Sequence, residues 1–355
     1  MNWEKIVITL VSAAFAVILY ILLPIESSKY RLKIVGEEAN FKLVSRAYHD
    51  MDGDGKSEIV RFKTGVPVPA ITLEGSNGEI LGQWNLHGDW LESTKGHFAD
   101  LDRDGYAELV TLTYFQDSIW LYVIEPLQEG GTFLQIPVDR VELYNDHQDW
   151  LINFGTPCDI NADGMDEIYF TIRAGFTLQP RKLYVFDGKQ KELMVQEPAL
   201  GNNIAWPVCL DIDQDGVMEI TGKVSAPGNL SDQDVLYSDS CAWLMIYDQD
   251  LQFKTEPVSY QGSPSYLYVL ALKKGSRQLL VSCHHSKTKT EIINHMEVRE
   301  WLNGSLQIIA SQDLQSETQV QMLSVDPNED GVFVVVDGTQ LIWLDEALRA
   351  VSYTH

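Results

Sequence analysis

Beyond the first forty residues the apolar positions come in short runs, and helical spacing is scarce. Runs such as Glu58-Ile59-Val60-Arg61-Phe62 and Glu167-Ile168-Tyr169-Phe170-Thr171 lead, through Gly, Pro or Asn turns, to second runs such as Ile119–Ile124 and Lys182–Phe186. β-Branched and aromatic residues in short runs between turn residues predict strands joined by hairpins, and hence an all-β chain. The exception is residues 6–25 (IVITLVSAAFAVILYILLPI), one uncharged run of the length that crosses a hydrocarbon core as a helix. No small-x-small cleavage site follows it, so it reads as a membrane anchor or signal segment, more in keeping with an anchor. This divides the chain into residues 1–28, a cytoplasmic stub with the anchor, and residues 29–355, the folded region.

Within residues 29–355 a single motif recurs: DMDGDGKSEIV from Asp50, DLDRDGYAELV from Asp100, DINADGMDEIY from Asp159 and DIDQDGVMEIT from Asp211. The spacing of about fifty residues is that of one four-stranded propeller blade per copy. Two weaker copies, ALKKGSRQLLV from Ala271 and DPNEDGVFVVV from Asp326, make six units. A seventh blade can be closed partly by Tyr30–Val35 pairing with the last strands, because closure protects the sheet edges. The expected fold is therefore a β-propeller of six or seven four-stranded blades preceded by one transmembrane helix.

Each strong copy sets side-chain oxygens at positions 1, 3 and 5, a glycine at 6 and a carboxylate at 9, which is the crowded oxygen shell that suits Ca²⁺. The candidate ligands are Asp50, Asp52, Asp54 and Glu58; Asp100, Asp102, Asp104 and Glu108; Asp159, Asn161, Asp163 and Glu167; and Asp211, Asp213, Asp215 and Glu219. Position 7, held by Lys56, Tyr106, Met165 or Val217, is expected to give its backbone carbonyl, so its side chain is free to vary. An EF-hand needs a glutamate at position 12, where this chain has Arg61, Thr111, Phe170 and Gly222. The EF-hand reading fails.

These loops resemble the FG-GAP/VCBS repeat family, the blade units of the integrin α-subunit propeller and of many bacterial surface proteins. The resemblance covers most of residues 41–345 and extends to Phe154-Gly155-Thr156-Pro157, a remnant of the name-giving element. It implies a propeller with calcium in the hairpin between the first two strands of a blade and a ligand on the opposite face.

Charge and cysteine content narrow the partners. Asp and Glu number 51 against 26 Lys and Arg, a net charge of -25 that repels a phosphate backbone and argues against nucleic acid. Cys158, Cys209, Cys241 and Cys283 have no zinc-site spacing and read as small buried apolar residues, with a disulfide open if the compartment is oxidising. His284-His285 reads as belonging to a solvated loop. The pattern H-x-D-W recurs at His87–Trp90 and His147–Trp150, with Trp206 in a comparable place, either as packing between blades or as a ligand site on the face opposite the calcium loops.

No catalytic motif of a recognised kind occurs, so the chain is expected not to be an enzyme. The expectation is a membrane-anchored, extracytoplasmic calcium-binding propeller that binds a protein or carbohydrate ligand or serves in adhesion. The alternatives are the sensor ectodomain of a longer signalling protein, such as a histidine kinase, and a propeller polysaccharide lyase or hydrolase. Because such loops fill where calcium is abundant, the expected topology is a single-pass membrane protein with a cytoplasmic N-terminus and a periplasmic or extracellular propeller.

Overall fold

The computed structural model describes residues 43–63, 70–90, 96–127, 133–230, 234–287, 292–316, 319–325 and 331–354. Every regular element among them is a strand, and no helix occurs. The first sheet runs β1 (Leu43–His49), β2 (Glu58–Lys63), β3 (Ala70–Glu74), β4 (Ile80–Asn85). In the second, β5 (Asp89–Trp90) and β6 (His97–Ala99) both pair with β7 (Glu108–Phe115), which is followed by β8 (Ser118–Ile124) and β9 (Phe133–Arg140). The third runs β10 (Trp150–Phe154), β11 (Ile168–Ala174), β12 (Arg181–Asp187), β13 (Glu192–Val195).

Next come β14 (Ala205–Leu210), β15 (Glu219–Ala226), β16 (Ala242–Leu244) and β17 (Val258–Tyr260), then β18 (Ser265–Lys274), β19 (Arg277–Lys287), β20 (Ile292–Leu302) and β21 (Ser305–Asp313). The tip of β15 pairs with β18, so β14, β15 and β18–β21 share one sheet, and β16 and β17 form a ribbon bridged to β15 through Ile220 and Tyr247. The last sheet runs β22 (Gln321–Val325), β23 (Val332–Asp337), β24 (Gln340–Asp345), β25 (Ala350–Thr354). All these pairings are antiparallel, and all but β5 with β7 and β15 with β18 join successive strands.

Side-chain alternation explains how the sheets stack. On β7 and β8, Leu109, Tyr122 and Ile124 enter the apolar cluster shared with the first sheet, whereas Val110, Leu112, Leu121 and Val123 enter the one shared with the third. The third sheet repeats the device: Phe170 and Tyr184 face back, and Tyr169, Leu183 and Val185 face forward to Ile220 and Leu267. A strand with an apolar neighbour on each face loses the polar-out half of the alternation. Thus β2 alternates between buried and half-buried, while the first six residues of β7 are all buried.

Several expectations change here. Residues 6–25 and Tyr30–Val35 lie outside the described residues, as do residues 326–330 of the sixth copy. Among the described residues no helix is long and apolar enough to cross a membrane, which corrects the reading as a single-pass membrane protein. His284 and His285 are buried inside β19, not in a loop, because β19 extends over eleven residues; His285 Nδ1 meets Asn294 Oδ1 at 2.8 Å on β20. Cys158 and Cys209 are joined as a disulfide across 51 residues, whereas Cys241 and Cys283 are buried thiols.

Candidate metal loops and the opposite end of the strands

Each strong motif connects the first long strand pair of its group: residues 50–58 join β1 to β2, 100–108 join β6 to β7, 159–167 join β10 to β11, and 211–219 join β14 to β15. Two residues per loop take the left-handed conformation. Position 4 (Gly53, Arg103, Ala162, Gln214) has φ of 71°, 61°, 58° and 62°, and the glycine at 6 (Gly55, Gly105, Gly164, Gly216) has φ of 85°, 92°, 89° and 92°. A Cβ on Gly55, Gly105 or Gly216 would meet nothing within 4 Å, so backbone strain, not space, demands glycine.

The same hydrogen bonds recur in all four loops. The position-1 carboxylate accepts from the glycine N–H, as in Gly55 to Asp50 Oδ2 at 2.9 Å and Gly105 to Asp100 Oδ2 at 3.1 Å. The position-9 glutamate accepts from the N–H at position 2: Met51 to Glu58 at 2.9 Å, Leu101 to Glu108 at 2.7 Å, Ile160 to Glu167 at 2.7 Å and Ile212 to Glu219 at 2.9 Å. Each backbone donor engages one carboxylate oxygen. In three loops the other oxygen of position 1 is left over.

Asp50 Oδ1, Asp100 Oδ1, Asp211 Oδ1 and Asp213 Oδ1 are buried and accept no hydrogen bond. In these same loops positions 1, 3 and 9 converge: Asp50, Asp52 and Glu58; Asp100, Asp102 and Glu108; Asp211, Asp213 and Glu219 each offer oxygens within 4.8 Å of one another. Carboxylates so placed repel one another, and Glu108, raised to about 7 by burial and then by Asp102, Asp104 and Asp100, is held back from ionising at neutral pH. A cation reverses both costs. Buried carboxylates are paired or coordinate metals, so these residues fit a metal ion.

Not every sequence candidate joins the cluster. Position 5 spends one oxygen on the N–H of position 7: Lys56 to Asp54, Tyr106 to Asp104 and Val217 to Asp215 at 2.8 Å, and Met165 to Asp163 at 2.9 Å. These are Asx-turns that shape the loop. In the third loop Asn161 replaces a carboxylate, and Asp159 Oδ1 is used by the Asp163 N–H at 3.1 Å. The side chain of Lys189 also reaches Asp163 Oδ2 at 2.9 Å.

The fourth loop holds a surprise for the sequence reading. Lys254 Nζ lies 2.6 Å from Asp213 Oδ2, 2.8 Å from Glu219 Oε1 and 3.6 Å from Asp215 Oδ2. Burial opposes its charge, but the bonds to Asp213 and Glu219 prevail and hold the ammonium above its ordinary range. An internal cation here faces the same kind of acids that stand together without one in the first two loops.

Neighbouring loops also touch. The Ala107 N–H donates to Met51 O at 2.9 Å, and the Met218 N–H to Ile160 O at 3.0 Å, so position 8 of one loop is tied to position 2 of the loop before it.

At the other end of the strands the tryptophans of the H-x-D-W segments pack against neighbouring rings, while His87, Asp89 and His147 are exposed. Trp90 is buried, edge-on to Phe62, and its Nε1 donates to Lys63 O at 2.8 Å; Trp150 packs edge-on to Tyr114. Trp206 differs, with 51% of its surface exposed. It lines a hollow of about 380 Å³ with Tyr266, Tyr268, Lys223, Arg173 and Leu151.

No protein-family model and no curated protein matches the chain. Among solved structures its fold is similar to a rhamnogalacturonan lyase of Bacillus licheniformis, at 15% identity and TM-score 0.48 over 87% of this chain and 57% of that one. It is also similar to the rhamnogalacturonan lyase YesW (11%, TM-score 0.42, 82% and 59% covered) and to the V. cholerae biofilm matrix protein Bap1 (13%, 0.33, 87% and 61%). The chain spans about six tenths of the length of each, between 57% and 61%. Likenesses at this level assign no activity. Two of the three are enzymes by name. The expectation that the chain is not an enzyme does not stand, because a search for contiguous motifs is blind to catalytic groups assembled from separate strands.

Proposed function

We propose that the chain is a β-propeller of the FG-GAP/VCBS kind, braced by Ca²⁺ in the loops between the first two strands of its blades, which receives a polysaccharide at the opposite strand ends. The observation that carries the calcium half is the set of buried, unbonded carboxylate oxygens of Asp50 and Asp100, each facing a second and a third acid within 4.8 Å. All-oxygen sites with backbone carbonyls available beside them favour a hard cation of calcium's size. Asp50, Asp52 and Glu58, and Asp100, Asp102 and Glu108, would hold the ions directly, with the carbonyls of Lys56 and Tyr106 in reach of the same loops. The third loop is a weaker site. Bound calcium neutralises the acids and fixes the loops, which touch from one sheet to the next.

The polysaccharide half is supported by the aromatic hollow around Trp206, since flat exposed rings beside polar groups suit sugar faces. Fold likeness plays no role in it. Whether a bound chain is held or cut is read by following product size in the same incubation.

The calcium reading predicts that a chelator lowers the melting temperature, each occupied loop contributing about 2.7 kcal/mol at a hundredfold excess of calcium over its Kd. Metal analysis after gel filtration should find Asp52→Ala and Asp102→Ala each lacking one ion relative to the parent chain. Unchanged metal content in both would sink the assignment.

A further inference from the structure

The hollow at Trp206 is built with unusual care. Trp206 has φ of 45°, in the left-handed region, although Pro207 follows it and a proline restrains the preceding residue to extended conformations. The strain sits at a bulge, where the register between β14 and β15 slips from Ala205 with Lys223 to Pro207 with Gly222. Gly222 is what lets the bulge close. A Cβ there would stand 2.7 Å from Ala205 O and 3.2 Å from Pro207 Cα. The strained bulge leaves a large indole half in solvent, whereas Trp90, of the H-x-D-W pattern, is buried.

Opposite the indole stands an ammonium. Lys223 Nζ lies 5.6 Å from the Trp206 ring and 5.3 Å from the Tyr268 ring, on the same hollow as Arg173 and the exposed face of Tyr266. Arg173 donates only to neutral groups, Asn202 Oδ1 at 3.3 Å and Ser225 O and Oγ at 3.2 and 3.1 Å, and its buried Nε has no partner. Asp239, whose charge Arg173 feels, is engaged by Arg181. Among the described residues neither Arg173 nor Lys223 has a carboxylate in ion-pair contact, in a chain of net charge -25. Most other cations among the described residues meet an acid, as Arg61 meets Glu74 and Arg277 meets Glu300. Two unanswered cations between three aromatic rings call for an anion with an apolar face.

We infer that this hollow binds an acidic sugar, a uronate unit of a polysaccharide, with its ring on Trp206 and Tyr266 and its carboxylate on Lys223 and Arg173. The inference rests on the reading that the strand ends opposite the metal loops receive a polysaccharide. A neutral glycan would leave the cations unused. An acidic peptide would satisfy the charges but make little use of three flat rings.

The test titrates the full chain, kept in saturating calcium, with a uronic-acid trisaccharide, its methyl ester and an acidic tripeptide, using calorimetry and indole fluorescence. The trisaccharide should bind at least tenfold more tightly than its ester or the peptide, and binding should weaken as salt rises. Trp206→Ala and Lys223→Gln should each weaken it about tenfold or more while calcium content and melting temperature stay within error. The Gln variant keeps the test decisive if the Ala variant fails to fold. Equal binding of acid and ester, equal binding of the peptide, or full binding by Lys223→Gln would each overturn the inference. Normal calcium loading with no binding of the trisaccharide refutes it and leaves the calcium reading intact, whereas failed loading strikes the calcium reading alone.

Discussion

An ammonium and a calcium ion can answer the same carboxylates, but the ammonium arrives on a tether and leaves only when its chain does. Lys254 reaches the fourth loop from 35 residues past Glu219, so Asp213 and Glu219 of that loop already face a cation, although Asp211 Oδ1 and Asp213 Oδ1 stay unbonded. Replacing it should expose a latent site: Lys254→Met is expected to bind one more calcium ion than the parent, and adding Asp213→Ala should abolish the extra ion. Asp213→Ala alone should leave the metal content of the parent unchanged. Counting ions in the three variants checks this, and an unaltered count in Lys254→Met would show that the fourth loop holds metal beside the lysine or not at all. This residue could not be read from the sequence, because nothing in the run Gln252-Phe253-Lys254-Thr255 marks it as a partner for acids in another strand connection. Positions 1, 3, 6 and 9 were legible because turn geometry and oxygen count act within ten residues. The turn-making role of position 5 was not legible, because an aspartate before a turn serves the backbone as readily as a cation.

Strands were the most legible elements, since their apolar alternation is local; the runs at 58–62, 119–124 and 182–186 fall inside β2, β8 and β12. Insertions were not. The segment between β15 and β16 is fastened by Asp239, which is fully buried, accepts from the Leu230 and Asn229 N–H groups at 2.7 and 3.2 Å, and lies 3.5 Å from Arg181 Nη1. Arg181 also donates to the carbonyls of Gly201 and Phe176. Removing one member of a buried pair strands the other's charge, so Asp239→Asn should cost about 3–5 kcal/mol in urea unfolding, with the lost backbone caps included. A loss below about 1 kcal/mol would mean that the arginine's carbonyl partners alone suffice. His284 and His285 were misplaced for a related reason. The polar ends of a strand read as loop until the partner strand, here with Asn294, is known.

At the scale of the whole molecule, successive groups of strands share apolar clusters, so each sheet is completed by the one that follows it in the chain. The repeat made this ordering legible, whereas the merging of β15 into β18 and the disulfide from Cys158 to Cys209 depend on how two groups meet and leave no periodic trace. That contact between groups bears on the loops as well. Glu58 accepts the N–H of Met51, and the carbonyl of the same residue takes the N–H of Ala107, the residue before Glu108; Ile160 and Met218 repeat the arrangement between the third and fourth loops. Through this single residue an ion that orders the first loop would also set the position from which the second glutamate reaches its own. The sites are then thermodynamically linked, and linkage of this sort is reciprocal, on the order of 5-fold or more in affinity. Asp52→Ala should therefore weaken calcium at the second loop severalfold without touching any of its ligands, and Asp102→Ala should weaken the first by the same factor. Equal affinities with and without the neighbouring ion would show the loops to be independent. If they are linked, calcium enters the first two loops as a unit, and over a narrower range of concentration than two separate sites would allow.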